Sequence, residues 1–481
     1  MTMVLTLDLA TEHDTARLGR ALSAVLRAGD TLLLEGSIGA GKSHLARAFI
    51  RARLGAAEDV PSPTFTLVQT YPGPPDIWHA DLYRLTHPDE VLELGLDDAF
   101  ATAICLIEWP DRLGPHLPAN PIRLRLTTRG DGRSATLTFE RPGFAACLTA
   151  ALRTEIAVDF IETAGWADAD RTPLTGDASA RRYERLSRAD ATAILMDAPP
   201  GQADSVADFV EIDRHLLSLN LSAPRILAED AAQGFLLLED LGELVFPKLI
   251  AANPALEVAL YCSATDVLTH LQAAPPARDL ANLSAQDWAE AAAIAVDWYS
   301  GIREGRTEFV TALAQTLKIH ADGPRVMILR DYHAENLLWL PERAGLARVG
   351  LLDFQLAQLG QPGYDLVSLL QDARRDVPPA IETAMIHHFV NANGLDLAGF
   401  HTAYSVLGAQ RALRILGIFA RLCLKDAKPR YLRLIPRVWG HLDRNLSDPA
   451  LSDLRAICRK LLPEPTAATL QKLEDKCGAF R

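Results

Sequence analysis

Residues 35–44 read EGSIGAGKSH, with Gly36, Gly41, Lys42 and Ser43 at the spacing G-x-x-x-x-G-K-[ST]. Glycines at that spacing let backbone N–H groups close around phosphate oxygens at a helix N-terminus, where the helix dipole favours anions. Ser37, Gly39 and Ala40 fill the rest of the cradle. Lys42 is expected to reach the β- and γ-phosphates, and the Ser43 hydroxyl to ligate Mg²⁺. Such a site needs a second metal-side carboxylate at a strand end. ICLIEWP (104–110) supplies it as Glu108, a Walker-B-like position with Glu in place of the commoner Asp. The guanine-reading pattern NKxD is absent, so ATP is the expected nucleotide.

A second constellation lies far downstream. LRDYHAENLLWL (329–340) holds Asp331 with Asn336 five residues on, and GLLDFQL (350–356) holds Asp353 at the end of an apolar run. This is the spacing of kinases: Asp331 would take or orient the proton of the acceptor hydroxyl, while Asn336 and Asp353 would hold Mg²⁺ against phosphate. Hard oxygen ligands suit that ion, and the nucleophile needs an acceptor of its own. His333 is expected to brace this loop rather than react, and Asp365 in PGYDL to accept backbone N–H groups. Arg411 and Arg414, on an apolar helical stretch, are candidates to face an anionic acceptor.

The elements that must position these groups follow from periodicity. LTLDLA, TLLLEG, FTLVQTY, DIWHADLY, ICLIEWP, IRLRLTT and SATLTFE read as strands, with EHDTARLGRALSAVLRAG as the first helix. Strands alternating with helices predict an α/β sandwich over residues 1–150. RPGFAACLTAALR closes it as a helix, and a second register opens near 155 with FIETAGW. A strand ATAILMDAPP, a helix around VADFVEIDRHLLSL and a strand GFLLLEDLG then lead into a mainly helical remainder. The second domain is set at 157–481, with a smaller lobe over about 157–242 and a larger one over 243–481.

Composition narrows the class. The net charge of −13 is spread along the chain, which disfavours direct, tight nucleic-acid binding. Six cysteines lie far apart with no zinc spacing, so reduced thiols in a cytoplasmic protein are expected. No apolar run approaches the roughly 18 residues of a membrane span.

PSPTFTLV (61–68), HADLYRL (79–85), ELGLDD (93–98) and ICLIEWPDRL (104–113) follow the phosphate loop in an order and spacing that resemble the TsaE-type ATPases of bacterial tRNA threonylcarbamoyladenosine modification. The resemblance implies a switch-like loop containing Thr64, with Asp81 close to Mg²⁺ or the attacking water. It also implies Glu108 as a metal-side ligand and Trp109 packed beside the nucleotide. ATP hydrolysis would then reset a complex with threonylcarbamoyl-transferase subunits, and tRNA would be met only through that complex.

The second half resembles the aminoglycoside-phosphotransferase-like kinases, a two-lobed, protein-kinase-like α+β fold. LTGDASARRYERL (174–186) stands for the phosphate hairpin and GFLLLEDLG (234–242) for the hinge. TGDASARRY, LMDAPP, LRDYHAENLL, DWY (297–299) and QRALRILGIFARL (410–422) are most similar to the bacterial N-acetylmuramate and N-acetylglucosamine kinases, which phosphorylate the anomeric hydroxyl of a cell-wall amino sugar. Met196-Asp197 stand where wider relatives carry a phosphate-binding lysine. Arg181 or Arg182 is expected to replace that charge, with Ser179 on the same hairpin at the nucleotide. Alternatives are a kinase for an aminoglycoside, a choline-like alcohol or homoserine, a catalytically silent scaffold for the ATPase, and a front half acting as an independent nucleotide kinase.

Overall fold

The computed structural model describes residues 1–55, 59–174, 181–201, 206–278, 280–302 and 304–480. It divides into two compact units, Met1–Asp168 and Ala169–Arg481.

The first unit runs β1 (Met3–Leu9), α1 (Glu12–Val25), β2 (Thr31–Glu35), α2 (Lys42–Leu54), β3 (Val68–Tyr71), β4 (Ile77–Asp81), α3 (Glu90–Glu93), α4 (Leu96–Thr102), β5 (Ile104–Glu108), β6 (Ile122–Arg129), β7 (Gly132–Phe139) and α5 (Phe144–Thr163). The seven strands form one sheet in the order β1-β7-β6-β2-β5-β4-β3. β2 pairs in parallel with both β5 and β6, and β4 in parallel with β5. Leu32, Leu33 and Leu34 on β2 and Ile104, Leu106 and Ile107 on β5 are fully buried. Each such side chain contributes about 1.5–3 kcal/mol by leaving water. That burial fixes the strand ends from which the phosphate loop and Glu108 emerge. α1 opens on a capping box, in which Thr11 and Asp14 satisfy each other's backbone N–H groups.

The boundary falls later than residue 150, and α5 explains why. Arg17 and Arg20 of α1 bind Asp159 and Glu155 of α5 at 2.5–3.1 Å, so residues 155–163 belong to the first unit. FIETAGW therefore closes the first unit instead of opening the second. Its Trp166 is buried.

In the second unit β8 (Asp170–Leu174), β9 (Arg182–Arg188), β10 (Ala191–Asp197), β11 (Ile226–Asp230) and β12 (Phe235–Glu239) make an antiparallel sheet in the order β11-β12-β10-β9-β8, with α6 (Val206–Ser218) between β10 and β11 in sequence. This is the smaller lobe. Glu239 ends β12 and binds Arg343 beyond the hinge at 2.6 Å, tying the lobes together.

The larger lobe comprises α7 (Phe246–Ala252), α8 (Glu257–Ala273), α9 (Ala285–Ala292), α10 (Arg306–His320), β13 (Val326–Ile328), β14 (Leu337–Trp339), β15 (Val349–Leu351), β16 (Gln358–Gly360), α11 (Tyr364–Leu370), α12 (Pro379–Asn393), α13 (Leu397–Leu424), α14 (Ile435–Leu446), α15 (Ser452–Leu461) and α16 (Ala467–Glu474). The antiparallel pair β13/β16 and the hairpin β14/β15 carry the loops with Asp331 and Asp353. α13, 28 residues long, is the spine of this lobe. Gly417 lets it lie against the backbone of Ile294, where a Cβ would come within 2.3 Å of a carbonyl carbon. Among the described residues, no helix is long and apolar enough to cross a membrane.

Candidate functional site

The phosphate loop joins β2 to α2. Gly36 has φ 146° and Gly41 φ 103°. A Cβ on Gly36 would meet the Leu126 carbonyl at 2.6 Å, so only glycine fits. Ser37, Gly39 and Ala40 form the turn, with Ala40 N donating to the Ser37 carbonyl at 3.2 Å. Lys42 Nζ donates to the carbonyls of Gly36 and Ser37, both at 3.0 Å, and lies 4.1 Å from the centroid of the Trp109 ring. Burial holds Lys42 below the usual lysine range, while the charges of Glu108 and Asp81 oppose that shift.

Ser43 Oγ donates to Glu108 Oε2 at 3.1 Å, bringing together the two residues expected at Mg²⁺. Asp81 and Glu108 end neighbouring parallel strands in direct register and are both buried. Thr64 Oγ1 donates to Asp81 Oδ2 at 2.7 Å, and Tyr83 N to Asp81 Oδ1 at 3.1 Å. A hydroxyl beside two carboxylates is a hard-oxygen donor set and fits Mg²⁺. Trp109 leaves β5 in the left-handed region at φ 58°, an uncommon conformation for a bulky residue that sets its ring over Lys42.

Two residues here escaped the sequence reading. His79 Nε2 lies 3.1 Å from Glu108 Oε1 with the ring 1% exposed, so it orients the carboxylate from β4. The motif HADLYRL contained it, but a lone strand histidine carries no signal of its partner. Arg133 of β7 packs on Gly41, its Nε 3.0 Å from where a Cβ would stand.

In the second unit, the 329–336 segment is built around Asp365. Leu329 N and Arg330 N donate to its two carboxylate oxygens at 2.6 and 2.8 Å. Burial pushes the Asp365 carboxyl up to about 7, and the two N–H donors pull the other way. Arg330 stands at φ 70°, immediately before Asp331, and Asp353 at φ 57°. Strained backbone of this kind persists only where the surroundings hold it. Ser368 Oγ, which receives Arg411 Nη2 at 2.8 Å, donates to the Arg330 carbonyl at 3.2 Å. Arg411 is thus buried in support of the loop, which corrects its reading as an acceptor-facing group.

Asn336 Nδ2 donates to the Asp331 carbonyl at 2.9 Å and approaches Asp353 Oδ2 at 3.5 Å. That brings all three expected residues together. The amide oxygen of Asn336 and the carboxylate of Asp353 are again hard donors that fit Mg²⁺. The Asp331 carboxylate accepts no hydrogen bond from any described residue. His333 Nε2 accepts from Arg374 Nη1 at 3.0 Å, and burial together with Arg374 and Arg411 holds the ring far below the usual histidine range. It is therefore a neutral brace.

The expected substitute for the kinase lysine is only partly placed. Arg181 is buried just before β9, and Arg182, exposed, pairs across the sheet with Asp197 of β10. Ser179 lies outside the described residues.

Residues 9–135 match the family described as threonylcarbamoyl adenosine biosynthesis protein TsaE, and residues 170–402 the phosphotransferase enzyme family. An N-acetylmuramate/N-acetylglucosamine kinase of Caulobacter vibrioides is 40% identical over 356 positions, covering 64% of this chain and 96% of that one. A counterpart from Pseudomonas putida is 33% identical over 306, covering 60% and 88%. The TsaE protein of Rickettsia bellii is 37% identical over 126, covering 26% and 88%. The chain belongs to both families, one after the other. It is an ATP-using enzyme in which a TsaE unit precedes a kinase of the N-acetylmuramate/N-acetylglucosamine family.

In the kinase unit, Asp365→Asn should cost about 1–3 kcal/mol, because the amide sets an NH₂ group against one of two buried N–H donors. Chemical denaturation would show an earlier transition for this unit. Kinase turnover would fall with it, through loss of the geometry at Arg330.

Proposed function

We propose that the chain couples two ATP-dependent activities in one polypeptide. The kinase unit transfers the γ-phosphoryl group to the anomeric hydroxyl of N-acetylmuramate or N-acetylglucosamine. The TsaE unit is an ATPase that supports threonylcarbamoyladenosine modification of tRNA through the subunits of a threonylcarbamoyl-transferase complex. The observation that carries this reading is the convergence of Asp331, Asn336 and Asp353 on a braced loop in a chain 40% identical to a kinase of that name.

In the kinase unit Asp331 accepts the proton of the sugar hydroxyl as its oxygen bonds to the γ-phosphorus. The bond from that phosphorus to the bridging oxygen breaks, and ADP leaves. Asn336 and Asp353 would hold Mg²⁺, which neutralises phosphate charge when bound. A hemiacetal hydroxyl is more acidic than an ordinary alcohol, which suits a carboxylate base.

In the TsaE unit, Ser43 and Glu108 would hold the metal, and Asp81 would orient water, with Thr64 linking it to the loop at 61–68. Ile38 and Phe65 are 74% and 86% exposed around this site. Apolar groups left in water on a loop that contacts a catalytic carboxylate are suited to meeting a protein surface. Exposed single residues are ordinary, but Ile38 lies in the nucleotide loop itself and Phe65 in the loop of Thr64.

One assay tests both halves: ADP release by the full chain against N-acetylmuramate, N-acetylglucosamine, an aminoglycoside, choline and homoserine. An amino sugar should raise the rate above the sugar-free level, and the transferase complex should raise the sugar-free level itself. A preference for choline, homoserine or the aminoglycoside would overturn the kinase assignment. Indifference to the complex would overturn the other.

A further inference from the structure

In the larger lobe, α8 and α12 bring together three side chains of different chemistry. Cys262 and Asp266 are four residues apart on α8, so they share one face. His388 reaches them from α12. Its Nε2 lies 3.7 Å from Cys262 Sγ and 2.6 Å from Asp266 Oδ1, and the three donor atoms lie within 4.8 Å of one another. All three residues are partly exposed, so an ion can enter and keep a water ligand.

We propose that Cys262, Asp266 and His388 bind one divalent ion of the zinc class, distinct from the Mg²⁺ expected at phosphate. Zinc bonds of about 2.3 Å to sulfur and 2.0–2.2 Å to nitrogen and oxygen separate tetrahedral S and N ligands by about 3.6 Å, and N and O by about 3.3 Å. The Cys262–His388 separation already matches. The Asp266–His388 contact must open by about 0.7 Å, a small side-chain adjustment at a site this exposed. A thiolate, a carboxylate and a neutral imidazole with one divalent ion give an uncharged complex. As the sulfur–metal bond forms, the thiol proton leaves to solvent. The ligand mixture excludes Mg²⁺, which prefers oxygen alone.

Burial and the Asp266 charge push the Cys262 thiol up, and a bound cation would reverse the second influence. The two helices are pinned nearby, where Asn393 Nδ2 of α12 donates to Thr269 Oγ1 of α8 at 3.1 Å. The ligands therefore stand on helices already held against each other. Between Cys262 and Asp266, the Ala264 carbonyl accepts from Tyr332 Oη at 2.9 Å. Tyr332 follows Asp331, so metal on α8 stiffens a support of the kinase loop.

The test is cobalt titration of the full chain after stripping with chelator. A sulfur-to-cobalt charge-transfer band with tetrahedral ligand-field bands should saturate at a single equivalent and vanish on adding Zn²⁺. Cys262→Ser should abolish the charge-transfer band. His388→Gln should weaken binding by more than the about 10–100-fold that loss of a supporting residue costs. Circular dichroism checks the fold of each variant, and if Cys262→Ser does not fold, the partly exposed His388→Gln still decides. No charge-transfer band in the parent chain, a band that survives Cys262→Ser, or His388→Gln binding as tightly as the parent would overturn the proposal.

Discussion

Replacing Asp331 with Asn is expected to lower sugar-dependent ADP release by about 10²–10⁴-fold, the range for loss of a positioned proton acceptor. Asparagine has the same shape but cannot take the proton. The loop should keep its path, because Asp365 holds the N–H groups of Leu329 and Arg330 and Ser368 holds the Arg330 carbonyl. Asn336 binds the Asp331 carbonyl rather than its side chain, so it too stays in place. Turnover and turnover over KM should thus fall together while KM for ATP changes little, as for an interaction made in the transition state. Sugar-independent hydrolysis by the TsaE unit provides the internal control. A variant with unchanged sugar-dependent turnover would remove Asp331 from the chemistry, and a parent chain with no sugar-dependent turnover would revive the silent-scaffold reading.

The mirror experiment is Lys42→Ala. It removes two bonds to loop carbonyls, the cation under the Trp109 ring, and the positive charge facing Glu108 and Asp81. Sugar-independent ADP release should fall by about 10²–10³-fold, the loss seen when one preorganised electrostatic partner is removed. Nucleotide affinity at that site should fall too, because two buried carboxylates are left uncompensated. Sugar-dependent release should persist. Lys42→Arg is expected to recover little of the activity, since a planar guanidinium cannot replace a compact ammonium beneath the indole. If both activities fell together in Lys42→Ala, the premise of two separate ATP sites would fail.

Much of the fold was legible because its signals are local. TLLL and ICLI read as strands since they are continuous apolar runs, buried on both faces of a mixed sheet. The glycine loop was legible because its conformations admit few residues. Asp331, Asn336 and Asp353 could be grouped because a short loop, a hairpin and a turn separate them. What stayed hidden depends on distant partners. The end of the first unit was misplaced because α5 runs through the expected boundary without a break, and the partners that hold Glu155 and Asp159 to this unit, Arg17 and Arg20, lie more than 130 residues back in the chain. His79 was invisible for the same reason: its role lies in Glu108, 29 residues on. Arg411 misled because an arginine on an apolar helix looks aimed at a ligand, whereas its partner, Ser368, is 43 residues away. Cys262 and His388 are 126 residues apart, beyond any spacing rule.

The brace at Asp365 bears on the entropy of the kinase reaction. Two left-handed residues, Arg330 and Asp353, have their unfavourable dihedrals fixed when the larger lobe folds. The backbone ordering that a flexible loop would need at each turnover is therefore absent. On the proposed reading, sugar and nucleotide would meet a main chain already fixed at these two residues, leaving more of their binding free energy available to the transition state.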